Sequence, residues 1–229
     1  MARRASLFAS LRGPETIFLA GNYEFCAPGT ACTQDTAKMQ KLGQAFKALH
    51  YDMFVLSSLE SAALRSAGFT LPEHWHEQPT EPTLVTVPTA EGQLAIFLFP
   101  DQPDAQAKAK IMAMAQGIRK AAQHNLLIGI SPWGATLEQE FLDSCGDTLD
   151  ILFGSGEGPS YSGLYVNNDA VVWARAPLKG KGVNVLTIPD LPQPGTKVFW
   201  QPEVNIRGEI LPLADNIAQD SEITNILAQ

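Results

Sequence analysis

Basic residues, histidine and cysteine are all scarce in this chain: 229 residues hold 16 Lys and Arg against 24 Asp and Glu, four His and three Cys, for a formal net charge of -8. A surface that binds nucleic acid needs clustered Lys and Arg to neutralise phosphates, and the one tight basic cluster is Arg3-Arg4 at the terminus. Nucleic acid is therefore not an expected partner. Long apolar runs are missing too, and Met1 to Leu7 has no apolar core of the kind a signal peptide needs, so no membrane insertion is expected. Three cysteines cannot all pair internally, which excludes a multi-bridge secreted scaffold and leaves room for one bridge, Cys26 to Cys32. No serine sits in a nucleophile-elbow pattern, and no Gly-rich loop of the Walker or dinucleotide kind occurs.

What is present is an ordinary globular composition, 45% hydrophobic, long enough for one large domain over 1–229. Apolar spacing predicts a short helix from Ala5 to Arg12, stopped by Gly13-Pro14, then a buried strand Thr16–Ala20. After a loop with Cys26 and Cys32, Asp35 or Thr36 caps a helix whose Met39, Leu42, Phe46 and Leu49 share a face. Asp52–Leu56 is a second buried strand and leads into a helix reaching about Ala67; Pro72 to Pro82 reads as a surface loop. A hairpin around Ala90-Glu91-Gly92 follows, then a helix from Asp101 or Asp104 with Ala107, Ile111, Ala115, Ile118 and Ala122 on one face. Leu126–Ile130 is a strand covered on both sides, the next helix turns Leu137, Phe141 and Cys145 inward, and another strand begins at Leu149. Beyond Gly158 the chain becomes β-rich: a hairpin turns at Asn167-Asn168-Asp169, with strands at Val183–Ile188, Lys197–Gln201 and Val204–Leu211, and a last helix capped by Asp220. Alternating units followed by a β-rich tail suit an α/β fold of two stacked mixed sheets with helices outside.

An apolar strand that ends in small residues is where such a fold frees backbone amides for a ligand, and Leu149 to Tyr161 is that stretch. Glu60 and Glu157 are expected to converge at strand ends, with Ser58, Ser131, Ser155, Ser160 and Tyr161 nearby. Together they suggest a polar pocket for a small anionic ligand held by hydroxyls and helix-start amides; the plainer account has them capping helices and loops. Cys26 and Cys32 are a candidate redox pair or two unrelated loop cysteines, and Cys145 is core. His74-Trp75-His76, flanked by Glu73 and Glu77, offers at most two imidazoles to one ion in an extended surface segment. His124 and His50 sit near helix ends, where an imidazolium would complement a helix dipole. Trp133 and Trp173 read as core lids before they read as base-stacking platforms.

The order of the strand ends carries a resemblance. Ala2–Arg12, Leu19-Ala20-Gly21-Asn22, His50 to Glu60, Ile130-Ser131-Pro132-Trp133-Gly134 and Leu149 to Tyr161 follow one another as five landmarks. Nearly the whole chain thereby resembles the 5′-nucleotidase branch of the calcineurin-like metallophosphoesterases. That likeness implies an αββα sandwich and, in the family, two divalent metals that polarise a phosphoryl group and activate a water. At the family's ligand positions this chain has Asn22 for the bridging Asp, Ser58 for the Asn, Leu59 for the transition-state His, Pro132 for a ligand His, and Gly156 and Gly158 for the paired His. The family's first strand, ending in Asp-x-His, has no counterpart, so the chain as read lacks its N-terminal strand. The likeness is closest to an exported, periplasmic nucleotidase-like subgroup, some of whose members carry selenocysteine or a cysteine cluster just upstream.

The resemblance implies a nucleotidase-like protein with no dimetal cofactor and no catalytic residues, serving a small-molecule-binding or thiol-dependent accessory role. Two alternatives stand beside it: a phosphohydrolase with a remodelled metal site built from Glu60, Glu157 and an upstream segment, and a redox protein acting through Cys26 and Cys32.

Overall fold

The computed structural model describes residues 1–177 and 180–228. In chain order its elements are α1 (Ala2–Leu11), β1 (Leu19–Ala20), α2 (Thr36–Lys47), β2 (Met53–Leu56), α3 (Ser58–Ser66), β3 (Trp75–Glu77), β4 (Thr83–Thr89), β5 (Gly92–Leu98) and α4 (Ala105–Ala121). There follow β6 (Leu126–Ser131), α5 (Ala135–Cys145), β7 (Ile151–Gly154), β8 (Tyr161–Val166), β9 (Val171–Arg175), β10 (Gly182–Thr187), β11 (Arg207–Pro212) and α6 (Ser221–Ala228). The chain divides into two compact units: one takes Met1–Gln78, a short segment ending at Val183 and the chain from Pro212 onward, and the other takes Pro79–Pro177 and Asn184–Leu211.

In the first unit β1, β2 and β3 form a parallel sheet in that order. Its core is aromatic: Phe54 and Trp75 have ring centroids 4.6 Å apart, and Phe25, Phe46, Phe69 and Tyr51 close around them. Three helices of the chain begin where an aspartate caps them, as the sequence predicts: Asp35 accepts from Lys38 N at 2.9 Å, Asp104 from Ala107 N at 2.7 Å and Asp220 from Ile223 N at 2.9 Å.

The second unit holds a six-stranded mixed sheet in the order β4-β5-β6-β7-β9-β8. The β4–β5 hairpin is antiparallel, the β5–β6–β7 run is parallel through α4 and α5, and β8 returns antiparallel on β9. Both helices bury their apolar faces, Ile111 and Ala115 from one, Phe141, Leu142 and Cys145 from the other, in a cluster with Ala95, Phe97, Phe99 and Leu127. The hairpin turn Asn167-Asn168-Asp169 has φ of 55°, 54° and 62°, a left-handed run that Asn and Asp tolerate.

Several expectations are corrected. Pro72–Pro82 is not simply a surface loop: it contains β3, because the open edge of β2 needs partners, and Phe54 N donates to His74 O while Gln78 N donates to Leu56 O. The strand expected over Thr16–Ala20 pairs only at Leu19–Ala20, since Phe18 N is taken by the Asp52 carboxylate at 2.7 Å. Lys197–Gln201 forms no strand; Trp200 pins it instead, donating Nε1 to Asp150 O at 2.9 Å and its backbone N to Asp169 O at 2.7 Å. On α4, Ala122 is exposed as the left-handed cap; on α5, Leu137 packs partly buried against the core cluster, and Glu138 beside it is fully buried. His124, just past the end of α4, is buried, its Nε2 lies 3.1 Å from Thr86 Oγ1, and burial lowers its pKa.

Trp75→Ala should cost about 3–5 kcal/mol, the usual penalty for removing a buried aromatic, read as a lower urea midpoint by circular dichroism; a loss below about 1 kcal/mol would show that the aromatic cluster does not hold β3.

Candidate functional site

The candidate residues fall in two groups, one per unit. Glu60 belongs to the first unit and Glu157 to the second.

In the first unit the strand ends bring together Asn22, Ser57, Ser58, Glu60 and Gln78. Ser57 N-caps α3, and the Glu60 carboxylate reaches back to Ser57 N at 2.9 Å and Ser57 Oγ at 2.8 Å, a reciprocal capping box. The same carboxylate, fully buried, accepts Tyr23 N at 3.1 Å, Phe25 N at 2.8 Å and Cys26 N at 3.4 Å. Glu60 is thus a clamp that holds the 23–26 loop against the start of α3, with both its oxygens occupied. The left-handed turn of Tyr23, φ 74°, delivers these amides to one carboxylate. Asn22 is buried and donates its amide to the Gln78 side-chain oxygen. Ser58 and Leu59 face solvent, Leu59 with 60% of its surface exposed. Cys26 and Cys32 are joined in a disulfide.

In the second unit the loop after β7 is laced to the segment after β6. Ser155 N and Ser155 Oγ both donate to Ser131 O at 2.8 Å, Gly134 N donates to Ser155 O at 3.1 Å, and Ala135 N donates to Glu157 O at 2.8 Å. The first amide of α5, which an anion would use, is therefore occupied by a loop carbonyl. Beneath the loop lies Arg175 at the end of β9. Its guanidinium pairs with the buried Glu138 carboxylate and donates to Gly156 O at 3.0 Å, Glu157 O at 2.9 Å and Pro159 O at 3.1 Å. Trp173 Nε1 donates to the same Glu138 oxygen at 2.9 Å. Burial pushes the Glu138 carboxyl up, against the opposing pull of Arg175 and of hydrogen bonds from Trp173 and Ser131. Glu157 and Ser160 are exposed, and the Tyr161 ring packs tilted against that of Trp173, centroids 4.9 Å apart.

The conformation of the loop is fixed by its glycines. Gly156 has φ 80° and Gly158 φ 128°; a Cβ on Gly156 would lie 2.7 Å from Pro132 O, and one on Gly158 would strike the Ala135 side chain. Neither position accepts an imidazole without moving the loop. His74 and His76 flank Trp75 on β3, and burial together with His74 lowers the pKa of His76. Among the described residues no group of three or more His, Cys, Asp or Glu is placed to hold a metal ion. Trp133 and Trp173 are buried, Trp133 donating Nε1 to Pro100 O at 2.6 Å.

Sequence reading overlooked Glu138, Arg175 and Gln78. Glu138 had a signal: it stands three and four residues before Phe141 and Leu142 on the apolar face of a helix, and a carboxylate there needs a buried donor. For Glu60 the Ser57-x-x-Glu60 spacing is a capping-box pattern.

No family profile matches this sequence, and no curated protein sequence does. The crystal structure of a 5′-nucleotidase precursor from Thermus thermophilus is similar, with TM-score 0.65 and 15% identity, over 99% of this chain and 52% of that one. The chain thus spans about half the length of that precursor. A hypothetical protein from the same organism aligns at TM-score 0.49 and 11% identity, over 76% of this chain and 69% of that one. The first likeness shows the fold alone: a mixed α/β protein with sheets flanked by helices, as in that 5′-nucleotidase precursor.

Two substitutions probe the clamps. Glu60→Ala strands the amides of Tyr23, Phe25 and Ser57 and should cost on the order of 3 kcal/mol in chemical denaturation, with Glu60→Gln losing less; equal losses would mean that a single retained acceptor oxygen holds none of these donors. Arg175→Met leaves Glu138 buried without its cation and should cost about 3–5 kcal/mol at pH 7. The folded-state pKa of Glu138 lies above its unfolded value, so its ionisation costs stability as pH rises past the ordinary glutamate range and the cost fades on acidification. The Arg175→Met loss should therefore shrink between pH 7 and pH 5; a loss independent of pH would trace it to the loop carbonyls instead.

Proposed function

We propose that this protein uses a nucleotidase-like scaffold for binding and not for phosphoester hydrolysis, its two-metal centre having been lost. One observation carries the reading: the two glycines that stand where the resemblance calls for paired histidines adopt left-handed backbone against Pro132 and Ala135, so the loop is built around the absence of side chains there. Other positions agree. Asn22, Ser58, Leu59 and Pro132 supply an amide, a hydroxyl, an exposed alkyl group and an imide, and none of these neutralises a dication as carboxylates and imidazoles do. The Asn22 amide nitrogen donates to Gln78, and the carboxylate beside Ser58 and Leu59, Glu60, spends both oxygens on backbone and hydroxyl donors. These residues do not fit a pair of divalent cations. In their place, Arg175 supplies a fixed positive charge under the 156–159 loop, already matched by Glu138 and three carbonyls.

The test is hydrolysis of a nucleoside 5′-monophosphate by the purified chain with Mn, Zn or Mg added, together with elemental analysis after dialysis. Phosphate release should not exceed the metal-only control, and bound metal should stay well below one equivalent. Metal-dependent turnover, or two retained equivalents, would overturn the proposal.

A further inference from the structure

The loop closed by the disulfide has two halves held in different ways. Residues 23–26 are fastened to α3: Tyr23, Phe25 and Cys26 give their amides to Glu60, and Cys26 is only 8% exposed within the aromatic core. Residues 27–34 run along the surface. Apart from Cys32 Sγ, which lies 3.6 Å from Leu59 O, their hydrogen bonds stay local: Thr30 donates through N and Oγ1 to Ala27 O, at 3.1 and 2.7 Å, and Gln34 donates to Cys32 O at 3.4 Å. Cys32 is half-buried, the more open partner, six residues from Cys26 with a Cα separation of 5.0 Å. The bridge is thus the covalent tie between a clamped segment and a surface segment.

We propose that Cys26–Cys32 is a thiol–disulfide exchange site, opened by an external dithiol that attacks Cys32 and releases Cys26. Attack falls on the sulfur an incoming thiolate can reach, and access differs between the two. The thiolate sulfur bonds to Cys32 Sγ while the Sγ–Sγ bond breaks, and the Cys26 sulfur leaves with the electron pair and takes a proton from water. The second thiolate of the dithiol then attacks its own sulfur in the mixed disulfide, and Cys32 leaves as a thiolate that is protonated in turn. Two electrons pass to the protein, and the dithiol becomes a disulfide. Because Glu60 keeps Cys26 in place, its buried sulfur stays within loop reach of Cys32, able to resolve a mixed disulfide and to reclose the bridge when the flow is reversed. Opening frees residues 27–34 and leaves the Glu60 clamp and α3 intact. The inference rests on the first unit alone and is independent of whether the protein hydrolyses phosphate esters.

The experiment uses the full chain under native conditions. Millimolar dithiothreitol should open the bridge with no change in the far-UV circular dichroism spectrum. A short pulse of excess glutathione, quenched in acid and read by peptide mass spectrometry, should place the adduct on Cys32 at about ten times the level on Cys26, with the buried free thiol of Cys145 as the reference for an inaccessible sulfur. As a second measure, the single thiol left in Cys26→Ser should react with an aromatic disulfide about tenfold faster than the one left in Cys32→Ser. A bridge that opens only at denaturant concentrations that unfold the chain, or adducts shared equally between the two cysteines, would overturn the proposal; the wild-type arms decide it even if a variant fails to fold.

Discussion

Glu60, Glu138 and Asp150 are withdrawn from solvent almost completely, and a carboxylate in that position must be surrounded by donors or cations before the chain can close over it. Each meets the requirement by gathering a different piece of backbone. Glu60 collects amides from a loop and from the start of a helix. Glu138 holds an arginine that in turn collects three loop carbonyls. Asp150 accepts Leu127 N and the Arg119 guanidinium, while its own backbone carbonyl receives Trp200 and Val172. Much of the irregular chain in both units owes its path to these three anions.

On the proposed reading, this use of polar groups is how a scaffold would outlive its chemistry. A catalytic site keeps some donors and acceptors unspent so that a substrate or metal can complete them, and it tolerates the resulting instability. At the strand ends of this protein many polar groups pair with one another: the asparagine nitrogen with glutamine, serine with serine carbonyl, a helix-start amide with a loop carbonyl, while Asn22 Oδ1 and Glu138 Oε1 stay buried without a hydrogen bond among the described residues. A fold reports ancestry and packing more faithfully than it reports activity.

The sequence disclosed the helices and the buried parallel strands well, because their signals are local. Aspartate caps at 35, 104 and 220, the 3.6-residue spacing of Ile111 and Ala115, and the Asn-Asn-Asp turn each need only neighbours to be read. What escaped was set by distant partners. Trp75 becomes a strand residue only because β2 presents an open edge, and Lys197–Gln201 stays irregular because Trp200 is bound to Asp150, far away in sequence. The candidate residues were named, but their employment was only partly legible: the Ser57-x-x-Glu60 spacing marks a helix cap, while Ser131 looks the same in a sequence whether it faces a ligand or the backbone. Arg175, at the end of an apolar strand, carried no sequence mark of the loop it supports.

All four tryptophans are buried, and they are divided unequally: Trp75 lies in the first unit, Trp133, Trp173 and Trp200 in the second. An indole shielded from water emits at shorter wavelength than one in solvent, so the intrinsic fluorescence of the native protein belongs mostly to the second unit, with a single emitter reporting on the first. Trp75 also sits in the aromatic cluster that receives Phe25, one residue before the bridged Cys26. The protein therefore carries a built-in optical probe next to its disulfide loop, and phenylalanine in place of the other three tryptophans would leave that probe to be read alone.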